Sequence, residues 1–228
     1  MKNLRIAVLL SGGGTTLENL LRWKKEEKLA ADIRLVVSSR EGVRGLEVAR
    51  KAGIPTEVVP SRNYRVYARE AEMIVNWEAM SADLNAVLLP REFDLVCLCG
   101  FMCRYVIPAP LDGKVINIHP ALIPAFCGQG MYGHLVHEAV AASGVRVTGC
   151  TVHFCDNKYD SGPIILQRCC PVFSGDTADH IQARVFEQEC IAYPTAINLI
   201  AEGKVKVIDG RVFVDGDRTL ERFVPNVT

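Results

Sequence analysis

Asn117 and His119 stand two residues apart in INIHPALIP, where an apolar run ends on an amide and an imidazole and Pro120 closes it. Asparagine offers a neutral donor and acceptor, and histidine moves a proton near neutral pH. Residues i and i+2 of a strand share a face, which makes a paired role more plausible than two accidents; alone, each reads as a satisfied core residue. SGGGTT (11–16) is a second candidate. Its glycines let backbone approach a ligand, and N–H groups at a helix start favour a phosphate. Thr15 or Thr16 would add a hydroxyl. The stretch is neither a full G-x-G-x-x-G nor a Walker A loop, so a tight βα turn with a threonine cap is the alternative. DNKYDSGPII (156–165) is the third and carries Asp156 and Asp160. A carboxylate beside His119 would hold its tautomer and raise its pKa. Spacing alone does not bring Asp160 there, and a solvated turn aspartate is the alternative. A phosphate grip, a proton-transfer histidine, an oxyanion-stabilising amide and a carboxylate suit acyl or one-carbon transfer to a phosphorylated acceptor.

The elements that must position these groups are legible as an alternation. LRIAVLL (4–10) is a continuous apolar run suited to a strand buried on both faces. Residues 17–30 repeat apolar positions at helical spacing, and DIRLVVSS (32–39) is the next strand. Residues 43–53 read as a helix stopped by Gly53, 56–60 as a short strand, and 64–90 as mostly helix with a break around Ser81. FDLVCLCG (93–100) and KVINIH (114–119) are strands and 131–144 is a helix. Residues 146–155 and 163–173 are strands joined by a turn-rich loop. A long helix follows from about Thr177 to Ala201, with capping and acidic residues at its start. Asp-Gly at 209–210, between two apolar runs, signals a hairpin. The pattern predicts one α/β domain, Rossmann-like, with a mostly parallel central sheet flanked by helices and a C-terminal β-hairpin. Ligands of such sheets bind at the carboxyl ends of the strands, where the three candidate stretches lie.

The totals narrow the class. Across 228 residues the formal net charge is +0, which gives no electrostatic reason to expect nucleic acid or a membrane surface. The opening apolar stretch, Ile6 to Leu10, is shorter than a secretory core, and no run approaches a membrane span. Nine cysteines without a C-x-x-C argue for reduced, mostly buried thiols in a cytoplasmic protein, and no metal site is expected. His134 and His137, with Glu138 beside them, match no zinc motif and are expected to face the pocket or the surface.

SGGGTT, INIHPALIP and TGCTVHFCDNKYDSGPIILQ together resemble the folate-dependent formyltransferases, and among them the phosphoribosylglycinamide formyltransferases of de novo purine synthesis. The likeness runs from about Leu4 to Val207. It implies a single formyltransferase domain over 1–228, with a core of about 4–207 and a hairpin tail of 208–228. It implies transfer of formyl from 10-formyltetrahydrofolate to the amine of glycinamide ribonucleotide, with no metal. Asn117, His119 and Asp160 would be catalytic. Gly14, Thr15, Thr16 and Glu189 would bind the ribonucleotide. Met102, Cys103, Arg104, Tyr105, Asn117, Asp156, Asn157, Lys158, Tyr159 and Asp160 would bind folate. The partners implied are small molecules, with a homodimer possible.

Departures from the family pattern bear on these assignments. Gly-Thr-Thr stands where Gly-Ser-Asn is common, and FMCRY displaces Arg104 by one residue. Phe186 occupies a usually polar position, and an arginine expected near residue 64 has only Arg62 or Arg65 as counterparts. The 127–133 loop is longer by roughly four residues than in relatives, a length that marks a functional loop and opens the choice of acceptor. Transfer to another amine (an amino sugar nucleotide or methionyl-tRNA), hydrolysis of formyltetrahydrofolate, and a catalytically dead binding module are the alternatives. The intact Asn117–His119–Asp160 set argues against the last.

Overall fold

A computed structural model describes residues 3–67 and 73–216. The first apolar run forms β1 (Leu4–Leu10), and Gly14 begins α1 (Thr15–Lys25). Strand β2 (Ala31–Ser38), helix α2 (Arg44–Lys51) and strand β3 (Thr56–Val58) complete the first half. The second half runs β6 (Leu95–Leu98), β7 (Val115–His119), α4 (His134–Ser143), β8 (Val147–Phe154), β9 (Ile164–Pro171) and α5 (Ala178–Ala201). These seven strands form one sheet in the order β3-β2-β1-β6-β7-β8-β9. Pairing is parallel from β3 to β7 and antiparallel from β7 to β9. The expected mostly parallel sheet is therefore observed. Its interior strands are unbroken apolar runs because helices cover both faces: Ile6, Val8 and Leu10 pack on one side, Ala7 and Leu9 on the other.

The stretch read as helix over 64–90 is different. Two short strands, β4 (Arg65–Tyr67) and β5 (Met73–Val75), pair antiparallel, and α3 (Trp77–Leu88) follows. Residues 68–72 of that stretch lie outside the described residues. The helix does not break at Ser81. It starts at Asn76, whose side chain accepts the Ala79 N–H, and it runs through Ser81, whose buried hydroxyl accepts the Val106 N–H at 2.9 Å. The predicted C-terminal hairpin forms from β10 (Val205–Ile208) and β11 (Arg211–Val214); residues 217–228 of the tail lie outside the described residues. All nine cysteines are free thiols, but only Cys97, Cys99, Cys150 and Cys170 are buried; the rest are half-buried.

Helix α5 is tied down by side chains that answer its own irregularities. Pro194 lacks an N–H, so the Cys190 carbonyl loses its helical partner. Asn19 of α1 donates to that carbonyl at 2.8 Å. One residue before the proline, the buried Tyr193 hydroxyl sits 3.0 Å from the Leu98 carbonyl and 3.1 Å from that of Ile116. Asn198 bridges the Lys28 carbonyl and the Ala30 N–H. Helix α5 is thereby fixed against α1 and the middle of the sheet.

Candidate active site

A cleft of about 910 Å³ opens at the carboxyl ends of β1, β6 and β7. At β1 the chain turns into α1 through Gly14, at φ 77°. A Cβ there would lie 2.6 Å from the Gly45 Cα, so both left-handed backbone and close approach require glycine. Gly14 caps α1 and packs on α2, while Thr15 and Thr16 reach the cleft. Neither threonine caps the helix; the cap residue is the glycine before them. Ser11 accepts the Met102 N–H at 2.8 Å and so holds the segment after β6 against this turn.

That segment, Met102 to Tyr105, forms a second wall. The Tyr105 hydroxyl donates to Asn85 at 2.6 Å. The 156–160 loop lies opposite and is tied across: Asn157 accepts the Ile107 N–H at 2.8 Å, and the Arg104 guanidinium sits over the Tyr159 ring, 6.0 Å from its centre. Asp156 accepts from the Lys158 N–H and the Ser161 hydroxyl, and so shapes the loop. Arg62 pairs with Glu41, and neither Arg62 nor Arg65 lines the cleft.

A further wall is the end of β7. Asn117 and His119 share a face, and antiparallel pairing sets Asn117 opposite His153 and His119 opposite Thr151. His119 is 3% exposed. Its Nε2 lies 2.8 Å from the Phe126 carbonyl and therefore carries a proton. Its Nδ1 faces Asp160 Oδ2 at 3.7 Å, an ionic contact beyond hydrogen-bond range. Asp160 sits at φ 49°, and its Oδ2 accepts the Gly128 N–H at 2.8 Å. Its other oxygen is 3.7 Å from His153 Nε2. His153 is buried, which pushes its pKa down, although the Phe154 carbonyl and Asp160 oppose the shift. With Nδ1–H donated to Phe154, Nε2 can accept from the Asn117 amide at 3.5 Å, which fixes the amide with nitrogen inward and leaves it a second N–H. His153 was not among the residues singled out from sequence; the antiparallel register opposite Asn117 is the signal that identifies it.

The last wall is α4 and α5. Glu189, Phe186 and Gln182 line it, and burial of the Glu189 carboxyl raises its pKa to about 7. His134, at the start of α4, is an exposed surface group near Gln182 and Glu138. His137, one turn on, is buried and faces the cleft. The glycine-rich 128–133 stretch covers the cleft between β7 and α4. Of the residues expected to bind or react, all but Gly14 and the two candidate arginines, Arg62 and Arg65, line this single cavity. Among the described residues, no group of three or more histidine, cysteine or acidic side chains is disposed to hold a metal.

A family model described as formyl transferase matches residues 4–197. The chain belongs to the formyl transferase family. It is 34% identical over 218 residues to the phosphoribosylglycinamide formyltransferase of Escherichia coli (strain K12), spanning 94% of this chain and 95% of that protein. It is 40% identical over 208 residues to the trifunctional purine biosynthetic protein adenosine-3 of Gallus gallus, 90% of this chain but only 19% of that protein. Among solved structures, the family member glycinamide ribonucleotide transformylase 1 from Symbiobacterium toebii superposes with a TM-score of 0.78 at 36% identity, covering 93% of this chain and 94% of that one.

Proposed function

We infer that this chain transfers a formyl group from 10-formyltetrahydrofolate to the primary amine of 5-phosphoribosylglycinamide. The observation that carries this reading is the convergence of Asn117, His119 and Asp160 on one wall of a cleft whose other walls suit two different ligands. The Escherichia coli relative, matched over nearly the whole length of both chains, bears the name of that activity, which supports the same reading.

In the reaction the acceptor amine attacks the formyl carbon, a C–N bond forms, and negative charge gathers on the formyl oxygen. The Asn117 amide and His119 stabilise that oxygen, and Asp160 supports positive charge on the imidazole. The bond to folate N10 then breaks as the amine's proton passes to N10. Gly14, Thr15 and Thr16, at the start of α1, take the ribonucleotide phosphate. Glu189 takes donor groups of the same substrate. Met102 to Tyr105 and the 156–160 loop hold the pteridine. No step calls for a metal. The reading places the chain in the cytoplasm, acting on small molecules.

A formyl-transfer assay with and without glycinamide ribonucleotide tests this. Turnover that depends on the acceptor is expected. Folate consumed without acceptor would make the chain a hydrolase, and no turnover would redirect the search to another amine.

A further inference from the structure

His137 is 4% exposed, and no described residue hydrogen-bonds to its buried Nδ1. It nevertheless lines the cleft. The other ring nitrogen, Nε2, is therefore the polar atom left to face the cavity. A buried carbonyl-like lone pair without a partner is tolerated more readily than a buried N–H without one. The ring is thus best satisfied with its proton on Nε2, directed at the cleft. Burial, with a smaller effect of the nearby His134 and His119 imidazoles, pushes the His137 pKa down to about 4. The ring stays neutral near pH 7, so its fixed feature is one uncharged N–H donor.

We propose that His137 binds an oxygen of the acceptor substrate, the carboxamide carbonyl of the glycinamide arm, through Nε2–H. The proposal rests on the reading of function above. His137 stands on α4, which is joined to α5 through the His134–Gln182 contact at 3.4 Å, and α5 carries Glu189 on the same wall. The folate-side segments, 102–105 and 156–160, come instead from the loops after β6 and β8. An uncharged donor suits an amide oxygen, whereas a phosphate finds its match in the glycine turn and helix start at 14–16. Two histidines then divide the work between the two substrates: His119 meets the charge that develops on the formyl oxygen of the donor, and His137 holds the acceptor in line.

The test is the division of effects between the two substrates in His137→Leu and His137→Gln. Leucine removes the donor, while glutamine presents an amide N–H near the position of Nε2. The leucine variant is expected to raise the acceptor KM about 3- to 10-fold, the size of one neutral hydrogen bond. The folate KM is expected to stay within about twofold, with glutamine restoring most of the loss. An unchanged acceptor KM, a parallel rise for both substrates, or a glutamine variant as impaired as leucine overturns the proposal. Imidazole nitrogen NMR on the unaltered protein stands independent of folding losses. It should show Nε2 protonated and Nδ1 bare, with the Nε2 signal moved by glycinamide ribonucleotide and not by a folate analogue. A proton on Nδ1, or no response to the acceptor, overturns it. Failure of the unaltered enzyme to use glycinamide ribonucleotide is a separate result, and it refutes the assigned reaction itself.

Discussion

At the carboxyl ends of β1 and β6 the cleft is built from backbone: a glycine turn packed on Gly45, and a loop whose Met102 N–H is held by Ser11. At the ends of β7 and β8 it is built from side chains: Asn117 and His119, with His153 set opposite Asn117 by the ladder. The first region joins parallel strands, so its strand ends lead into crossovers: a glycine turn and α1 after β1, and an irregular segment after β6. The second joins antiparallel strands, whose register brings side chains from neighbouring strands face to face. On the proposed function, grip comes from the parallel half and chemistry from the antiparallel half. Asp160, returning from the loop after β8, closes the second region.

The sharpest way to break this comparison is His119→Ala. A side chain that meets the reacting atoms should take kcat down by about 10²–10⁴, with the urea midpoint close to that of the unaltered protein. Near-normal turnover would remove His119 from the chemistry and with it the contrast between the halves.

The glycine turn should behave in the opposite way. Gly14→Ala forces a side chain into left-handed backbone and against the Gly45 Cα at 2.6 Å. A loss of about 2–4 kcal/mol in unfolding free energy is expected from urea titration. Gly13→Ala meets nothing within 4 Å. It should change stability by less than about 1 kcal/mol, yet raise the acceptor KM if phosphate approaches that backbone. Equal stability losses at the two positions would show that the turn is not specialised.

The halves also differed in how far the sequence revealed them. β1, β6 and β7 were readable because buried parallel strands are unbroken apolar runs, and the polar residues that end them stand out. Residues 65–67 and 73–75 differ from the expected helix because a three-residue strand has no period to recognise, while acidic residues and alanines in the surrounding sequence imitate a helix. Asn76 was a usable N-cap signal that passed unread. Ser81 suggested a break only because its partner, the Val106 N–H, lies far along the chain. The catalytic candidates were visible as residue types at strand ends, but their mutual geometry was not. Asp160 reaches His119 only through the β8–β9 connection, and His153 gains meaning only opposite Asn117. Spacing leaves His137 facing the pocket or the surface without deciding between them, since an orphaned nitrogen is a property of packing and leaves no mark on spacing.

Glu189 gives a smaller expected effect than His119 or Gly14, and it joins the two halves because α5 packs on α1, β2, β8 and β9. Its ordinary pKa of 4.5 is raised to about 7 by burial. The folded protein therefore keeps a proton there that the unfolded chain has already released. Between pH 4.5 and 7 the folded state binds more protons, so this residue's contribution weakens as pH rises through that window and is fully unfavourable above it. Glu189→Gln removes the titration. In the absence of substrate it should be more stable than the unaltered protein at pH 8, by on the order of 2 kcal/mol, with the gap closing toward pH 5. Urea midpoints across that range decide it; a gap of opposite sign would mean that the carboxylate is already paired. Saturating glycinamide ribonucleotide should narrow the gap, because donor groups of the acceptor would then satisfy the ionised carboxylate that burial alone penalises.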